Sequence, residues 1–431
     1  MRSNRERSLT RAFQGMKLHV ALVSHGYPDR GAAGGIGTVT RILAHALAGA
    51  GCRVTALSEA EDVGEGRFAD GAVQVIRYRP ARFFYRAAYR AVAALPIRKP
   101  RKDRLLQLIY TFQRAAAVDA ILRRLVREEG IEIVEFPEWD FPAFFFTRRA
   151  PVPAVVKIHS PHFLIEEGIA MPRPRRNYLK FLCEREALRR ADAVIGVAAA
   201  VAETVRKRYG IPRGRMTVIP YPFRMDGAPQ TLPSRKPTGL VTQLGRIEPI
   251  KGADVTAAAL AEIFRRVEGS KFRFIGEEAY HQYSAGSFAA GVRGRIEAAG
   301  ASGRVEFTGV VPHSEVPRLL LEADVLVQPS RFENYSVALL EALYCGTAAA
   351  ASDVGGNAEV LDDGRAGILV PPNDPHALAG AVVRLLTDDS AREKIRRRGF
   401  ELVRTRNDAE LIARTTVKLY KTLIMKRKRG A

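Results

Sequence analysis

The 431-residue sequence is poor in cysteine and in tryptophan, with three of the first and one of the second. Cys52, Cys183 and Cys345 stand far apart with no C-x-x-C pair, which argues against a disulfide frame or a zinc site and fits thiols in a reducing compartment. No run of about 18 uncharged apolar residues occurs, so a membrane span is not expected. The N-terminal stretch MRSNRERSLTRAFQG is basic but has no apolar core, so a secretory signal is not expected either, and Met16 is an alternative start. D-x-D is absent; Glu138-Trp139-Asp140 is the nearest approach, so a metal bridging a diphosphate is not expected. Sequence repeats of about 20 to 50 residues are absent as well. Acidic side chains are outnumbered, 46 against 68 basic ones, for a formal charge of +22.

That charge is uneven. Residues 77–127 carry fourteen Lys or Arg against Asp103 and Asp119. A second cluster runs from Arg173 to Arg190, and a third from Lys426 to Arg429. Such patches attract a polyanion, whereas an arginine-rich proteome with solvated side chains would show the same count. No nucleic-acid-binding motif accompanies the charge, so an anionic membrane surface is the candidate partner and nucleic acid is not. The basic helical segment 79–127 interleaves aromatics, which suits either a membrane-surface face or ordinary amphipathic packing.

With 47% hydrophobic residues and this length, two or three cores are expected. Short apolar runs at 17–24, 53–57, 73–78, 131–136, 154–158 and 193–197 alternate with helical stretches. A proline-rich segment, 220–237, interrupts them, and a second series follows at 238–244, 271–275, 304–307, 324–328 and 347–351. Alternation of this kind predicts parallel, doubly wound α/β sheets. The expected division is a first domain over 17–219, a linker over 220–237 and a second domain over 238–404.

The groups able to carry chemistry fall at the predicted carboxyl ends of strands, where open α/β sheets bind ligands. Gly34, Gly35 and Gly37 follow the first strand and precede a helix expected from Thr38 to Ala48, a turn that lets backbone approach an anion. It lacks the G-x-G-x-x-G order of dinucleotide sites. His159 closes the run Val155–His159, as a structural hydrogen bonder or as a ligand for a hydroxyl or a developing charge. Arg246 and Lys251 share one loop after the first strand of the second series, a pairing suited to a diphosphate. In SRFENYSVALLEA, Glu333 lies in a loop with Asn334, Tyr335 and Ser336, and Glu341 about two turns into a helix. The two carboxylates do not read as a glycosidase pair; they suit vicinal hydroxyls.

These motifs, taken in order, resemble family four of the retaining glycosyltransferases, which have the GT-B fold. The likeness rests on G-G-I-G at 34–37, G-R-I-E-P-I-K-G at 245–252, F-T-G at 307–309, E-x(7)-E at 333–341 and S-D-V-G-G-N-A-E-V at 352–360, followed by A-G-I-L-V-P-P-N-D. The resemblance implies two Rossmann-like domains facing across a cleft, with a C-terminal helix over 405–425 packing back on the first. It implies that Arg246 and Lys251 bind a donor diphosphate, and that Glu333 with the backbone of Asn334–Ser336 holds the transferred sugar and distal phosphate. Glu341 would bond the ribose, His159 would stand near the anomeric face, and the Gly34–Gly37 loop near phosphates and acceptor.

The implied activity is retaining hexosyl transfer from a nucleoside-diphosphate sugar to a glycan, lipid-linked or small-molecule acceptor, without a metal or cofactor. It would take place in the cytoplasm or on the inner face of the plasma membrane. A nucleotide-sugar epimerase, a phosphorylase or a non-catalytic glycan-binding member are the rival readings. Two departures stand out: Glu333-Asn-Tyr-Ser replaces the family's E-G-F-G, which bears on sugar choice or acceptor geometry, and 277–294 exceeds the expected short link.

Overall fold

The structure, a computed structural model, describes residues 17–28, 35–60, 64–80, 82–168, 178–278 and 287–430. Its strands are short apolar runs buried on both faces, as parallel sheets flanked by helices require; all six residues of HVALVS are buried. The first sheet contains β1 (His19–Ser24), β2 (Arg53–Glu59), β3 (Gly66–Asp70), β4 (Val73–Tyr78), β5 (Ile133–Pro137), β6 (Ala154–Lys157), β7 (Ala193–Gly196) and β8 (Met216–Val218). The second contains β9 (Leu240–Leu244), β10 (Lys271–Ile275), β11 (Val305–Phe307), β12 (Val325–Gln328), β13 (Ala348–Ser352) and β14 (Ile368–Val370). Neighbouring strands are parallel except for the β3–β4 hairpin.

Strand order is β3-β4-β2-β1-β5-β6-β7-β8 in one sheet and β11-β10-β9-β12-β13-β14 in the other. Val20 of β1 pairs with Val54 of β2 on one side and Ile133 of β5 on the other. The order therefore reverses between β1 and β5, and in the second sheet between β9 and β12. Beyond the carboxyl ends of strands at such a reversal lies a crevice. His25 and Glu138–Asp140 emerge at the first, Arg246–Lys251 and Ser330–Ser336 at the second.

Three strands escape the sequence reading. β3 is a polar, half-exposed edge, and β8 and β14 have only three residues each, too few for a period to register. The segment 220–237 differs from a loose tether: Tyr221, Phe223, Met225 and Ala228 are buried. Two basic side chains of the charged clusters, Arg114 and Lys180, are buried ion-pair partners and not surface cations.

The chain returns to the first domain after Asn407. Helix Ala409–Gly430 buries Ile412, Ala413, Tyr420 and Ile424 against Leu43, Leu47 and Val54, and Tyr420 donates to Glu135 Oε2 at 2.5 Å. Among the described residues, no helix is long and apolar enough to cross a membrane.

Candidate active site

The second-domain half of the cleft is built on Glu333. Its Oε1 accepts from Lys251 Nζ at 2.7 Å, Ser330 Oγ at 2.8 Å and Gln328 Nε2 at 2.9 Å. Glu333 is 8% exposed, so its charge is held by donors rather than by water. Arg331 locks the two loops together: its backbone N–H donates to Ile250 at 2.8 Å, and its guanidinium grips both oxygens of Asp254 and the Pro249 carbonyl. Gly252 at φ +68° lies against the Pro329 carbonyl, where a side chain would not fit.

The S-D-V-G-G-N-A-E-V segment supports the same loop from behind. Gly356 N–H donates to the Glu333 carbonyl at 3.1 Å, and a Cβ on Gly355 or Gly356 would enter the carbonyl oxygens of Glu333 or Asn334. Ser336 caps helix Val337–Cys345 by accepting from Leu339 N–H, so its hydroxyl serves the fold. The N–H groups of Val337 and Ala338 in the same first turn have no intrahelical acceptor, as at any helix start.

Arg246 lies near Glu248, with 3.0 Å between Nη2 and Oε1, and is about half exposed. Glu341 is buried on the second turn of the helix, and its Oε1 pairs with His313 Nε2 at 2.9 Å. The hydrogen bond to Glu341 raises the His313 pKa above its ordinary value. His313 is a member of the site that sequence reasoning missed, since a histidine in a surface turn carries no signal by itself.

In the first-domain half, Gly34 lies outside the described residues. Helix Gly35–Gly49 starts earlier than expected, with Gly37 buried inside it and Gly35 exposed at its first position. A Cβ on Gly35 would come within 3.4 Å of Val337 Cγ2, so two helix starts, one from each domain, face each other. His159 is buried directly after β6, with Nδ1 2.8 Å from Tyr221 Oη. Burial holds its pKa well below the ordinary range, so the imidazole is neutral and acts as a hydrogen bonder, not a cation.

Glu138 accepts from the backbone N–H of His159 at 2.7 Å and from that of Ser160, and burial pushes its pKa up to about 7. Its neighbours Asp140 and Phe141 have φ of 55° and 44°, a left-handed doublet that non-glycine residues rarely adopt. Asp140 is engaged by Arg114 Nη2 and Lys180 Nζ, each at 2.7 Å, and by His162 Nε2 at 3.1 Å. Trp139 stacks on His162 with centroids 3.9 Å apart. Asp140 thus has cations of the protein itself around it.

The two halves touch. Asn334 Nδ2 donates to Ile158 O at 2.9 Å and to His159 O at 2.8 Å. Tyr335 packs edge-on against Tyr221, and Asn407 Nδ2 donates to both Tyr221 O and Tyr335 Oη. The side chains of Asn334 and Tyr335 therefore face the other domain. Glu359 caps helix Ala199–Tyr209 across the boundary, accepting from Ala199 and Ala200 N–H at 2.8 and 2.9 Å.

No cluster of three His, Cys, Asp or Glu residues suited to a metal occurs among the described residues. A surface pocket of about 600 Å³ between 230–235 and 393–401 is lined by none of the cleft residues named above.

Two parallel α/β sheets facing across a cleft lined by their carboxyl ends define the GT-B fold. Sucrose-phosphate synthase from Thermosynechococcus elongatus superposes with a TM-score of 0.75 at 23% identity, over 95% of this chain and all of that one. Anabaena HepE, solved in complex with UDP-glucose, superposes with a TM-score of 0.66 at 16% identity, over 94% of this chain and all of that one. Residues 34–222 match the glycosyl transferase 4-like domain, and residues 227–402 the family described as glycosyl transferases group 1. The alpha-D-kanosaminyltransferase of Streptomyces kanamyceticus is 29% identical over 288 residues, 63% of this chain and 72% of that protein. The two matches together make the chain a glycosyltransferase with a 4-like first domain and a group 1 second domain.

Proposed function

We propose that the cleft binds a nucleoside-diphosphate sugar and that the chain transfers its hexose, with retention of configuration, to a glycan, lipid-linked or small-molecule acceptor. The observation that carries this reading is the meeting of Lys251 and Glu333, 2.7 Å apart, at the second sheet's reversal point beside a helix start. A cation and N–H groups there suit a diphosphate, and a carboxylate suits sugar hydroxyls. HepE, of the same fold, was solved with UDP-glucose, which supports the same class of donor here.

In this mechanism Arg246, Lys251 and the N–H groups of Val337 and its neighbours stabilise the charge that develops on the departing diphosphate. Glu333 holds hexose hydroxyls, Glu341 the ribose, and His159 offers a neutral imidazole near the anomeric carbon. The C1–O bond to the diphosphate breaks while the acceptor oxygen bonds C1 on the same face. The acceptor's proton passes to the departing phosphate oxygen, so no side-chain nucleophile is needed, and protein cations take the role a metal would have. A thermal-shift screen against UDP-, GDP- and ADP-sugars tests the donor, because a ligand specific to the folded state raises the melting point. No stabilisation by any of them would sink the reading; release of an epimerised sugar or a sugar phosphate would favour the rivals.

An acceptor carried on an anionic membrane is favoured by one further feature. Tyr178, Leu179 and Leu182 are 59%, 44% and 50% exposed on helix Tyr178–Arg190, with Arg189 and Arg190 exposed at its end. Flotation with anionic and neutral vesicles decides it: equal recovery with both would end the electrostatic version.

A further inference from the structure

The loop that departs from the family's E-G-F-G pattern does something specific. Asn334 is 4% exposed and spans the two domains, its Nδ2 bonded at once to the carbonyls of Ile158 and His159. Two acceptors on one side fix the amide's orientation, since the reversed amide would set Oδ1 against two carbonyl oxygens. The price is an Oδ1 that is buried without a partner among the described residues. A glycine at this position makes none of these contacts.

We propose that Asn334 is a positioning residue: it latches the donor loop to the backbone of His159 and so sets where His159 stands relative to Glu333 when the cleft is closed. The next residue supports the same object from the other side. Tyr335 packs on Tyr221, and Tyr221 Oη holds His159 Nδ1 at 2.8 Å. Backbone and imidazole of His159 are thus both referred to the two residues that follow Glu333. Two hydrogen bonds made against one acceptor orphaned leave a contact that opens for substrate entry and closes again, as a cleft that must admit two substrates requires. The proposal rests on the reading that Glu333 and His159 act on one donor sugar.

The test compares the full-length chain with Asn334→Ala and with Asn334→Asp, which keeps the size and removes both donors. Ligand-free small-angle scattering should give both variants a larger radius of gyration. With a donor from the screen above, kcat should fall about tenfold while affinity for the nucleoside diphosphate stays within about threefold, and hydrolysis should take a larger share of turnover than in the wild type. A purely structural role would not move that partition. If Asn334→Ala does not fold, Asn334→Asp decides. Scattering identical to wild type in the folded variants overturns the latch; because it needs no ligand, it does so even where no nucleoside diphosphate binds, an outcome that strikes the donor reading instead.

Discussion

Gly355→Ala removes no functional group from the cleft, yet it is expected to disable it. Gly355 sits at φ +55°, and an ideal Cβ there would lie inside the Glu333 carbonyl oxygen and only 2.8 Å from its carbon, where ordinary contact begins at 3.4 Å. The Glu333 carbonyl oxygen, 1.7 Å from that Cβ, must then retreat by about 1.3 Å to reach even 3.0 Å, on the scale at which about 1 Å of misplacement costs about 100-fold in rate. A left-handed alanine adds about 1–2 kcal/mol, and losing the 3.1 Å bond from Gly356 N–H to Glu333 O adds about 1 kcal/mol. The second domain's melting transition should fall by about 5 to 10 °C. Transfer should fall by about 100-fold, with Lys251, Glu333 and Glu341 all still present. The control is Gly380→Ala, on helix Pro375–Thr387, where a Cβ meets nothing within 4 Å; it should be neutral or stabilise by about 0.5–1 kcal/mol. Differential scanning calorimetry and nucleoside-diphosphate titration read both. A Gly355→Ala protein that melts and binds like Gly380→Ala would refute the reasoning.

Three other changes probe the charges. Lys251→Ala leaves Glu333 bonded to Gln328 and Ser330, so folding should lose only about 1 kcal/mol, while calorimetry should find nucleoside-diphosphate affinity down by about tenfold to 100-fold. The raised His313 pKa means that its pairing with Glu341 is complete below the ordinary histidine range and is lost as pH rises through the raised value. If the ribose takes Glu341, donor affinity should therefore improve from pH 6 to 8.5, and His313→Gln should flatten the trend; Asp226, the other charge acting on His313, stays in both proteins. An unchanged slope in the variant counts against the exchange. Glu138, raised to about 7 by burial, stabilises most below the usual carboxylate range and loses that contribution as pH climbs through 7. Urea unfolding at pH 5 and 8 should show wild type losing up to about 3 kcal/mol more than Glu138→Gln over that interval. Glu184, raised by burial in the same sense, remains in both.

The parallel strands were legible because each is a run of apolar residues with glycine or proline at its end. The reversal points were not, since strand order depends on which crossover packs where. For that reason the resemblance places Glu333 and Lys251, 82 positions apart, on one donor without showing that the two side chains share a hydrogen bond. Arg331 carries no signal of its own in SRFENYSVALLEA: an arginine in a polar loop has no period, and only the loop facing it reveals Asp254 and the Pro249 carbonyl as its partners. The resemblance assigns Asn334–Ser336 to the donor through their backbone and says nothing of where their side chains point. Sequence adjacency does not say that the backbone turns their side chains toward the other domain. Arg114 and Lys180 misled in the opposite way, since composition counts a buried cation on Asp140 the same as a solvated one.

The charges expected to meet a donor already have partners: Lys251 with Glu333, Arg246 near Glu248, His313 with Glu341. On the proposed function, donor binding would be an exchange of partners and not the filling of bare charges. A diphosphate that draws Lys251 frees a Glu333 lone pair for a sugar hydroxyl, and a ribose that draws Glu341 frees His313. Each substrate group then strengthens the case for the next, because a carboxylate this buried is costly to leave without a donor. A bare diphosphate supplies the first exchange but not the second pair of hydroxyls, so it should leave Glu333 less satisfied than the intact nucleotide sugar does. The intact donor should accordingly bind more tightly than nucleoside diphosphate plus free hexose, and Glu333→Gln should narrow that gap. Titration of both ligands into both proteins measures it; equal gaps would mean that Glu333 serves only to hold Lys251.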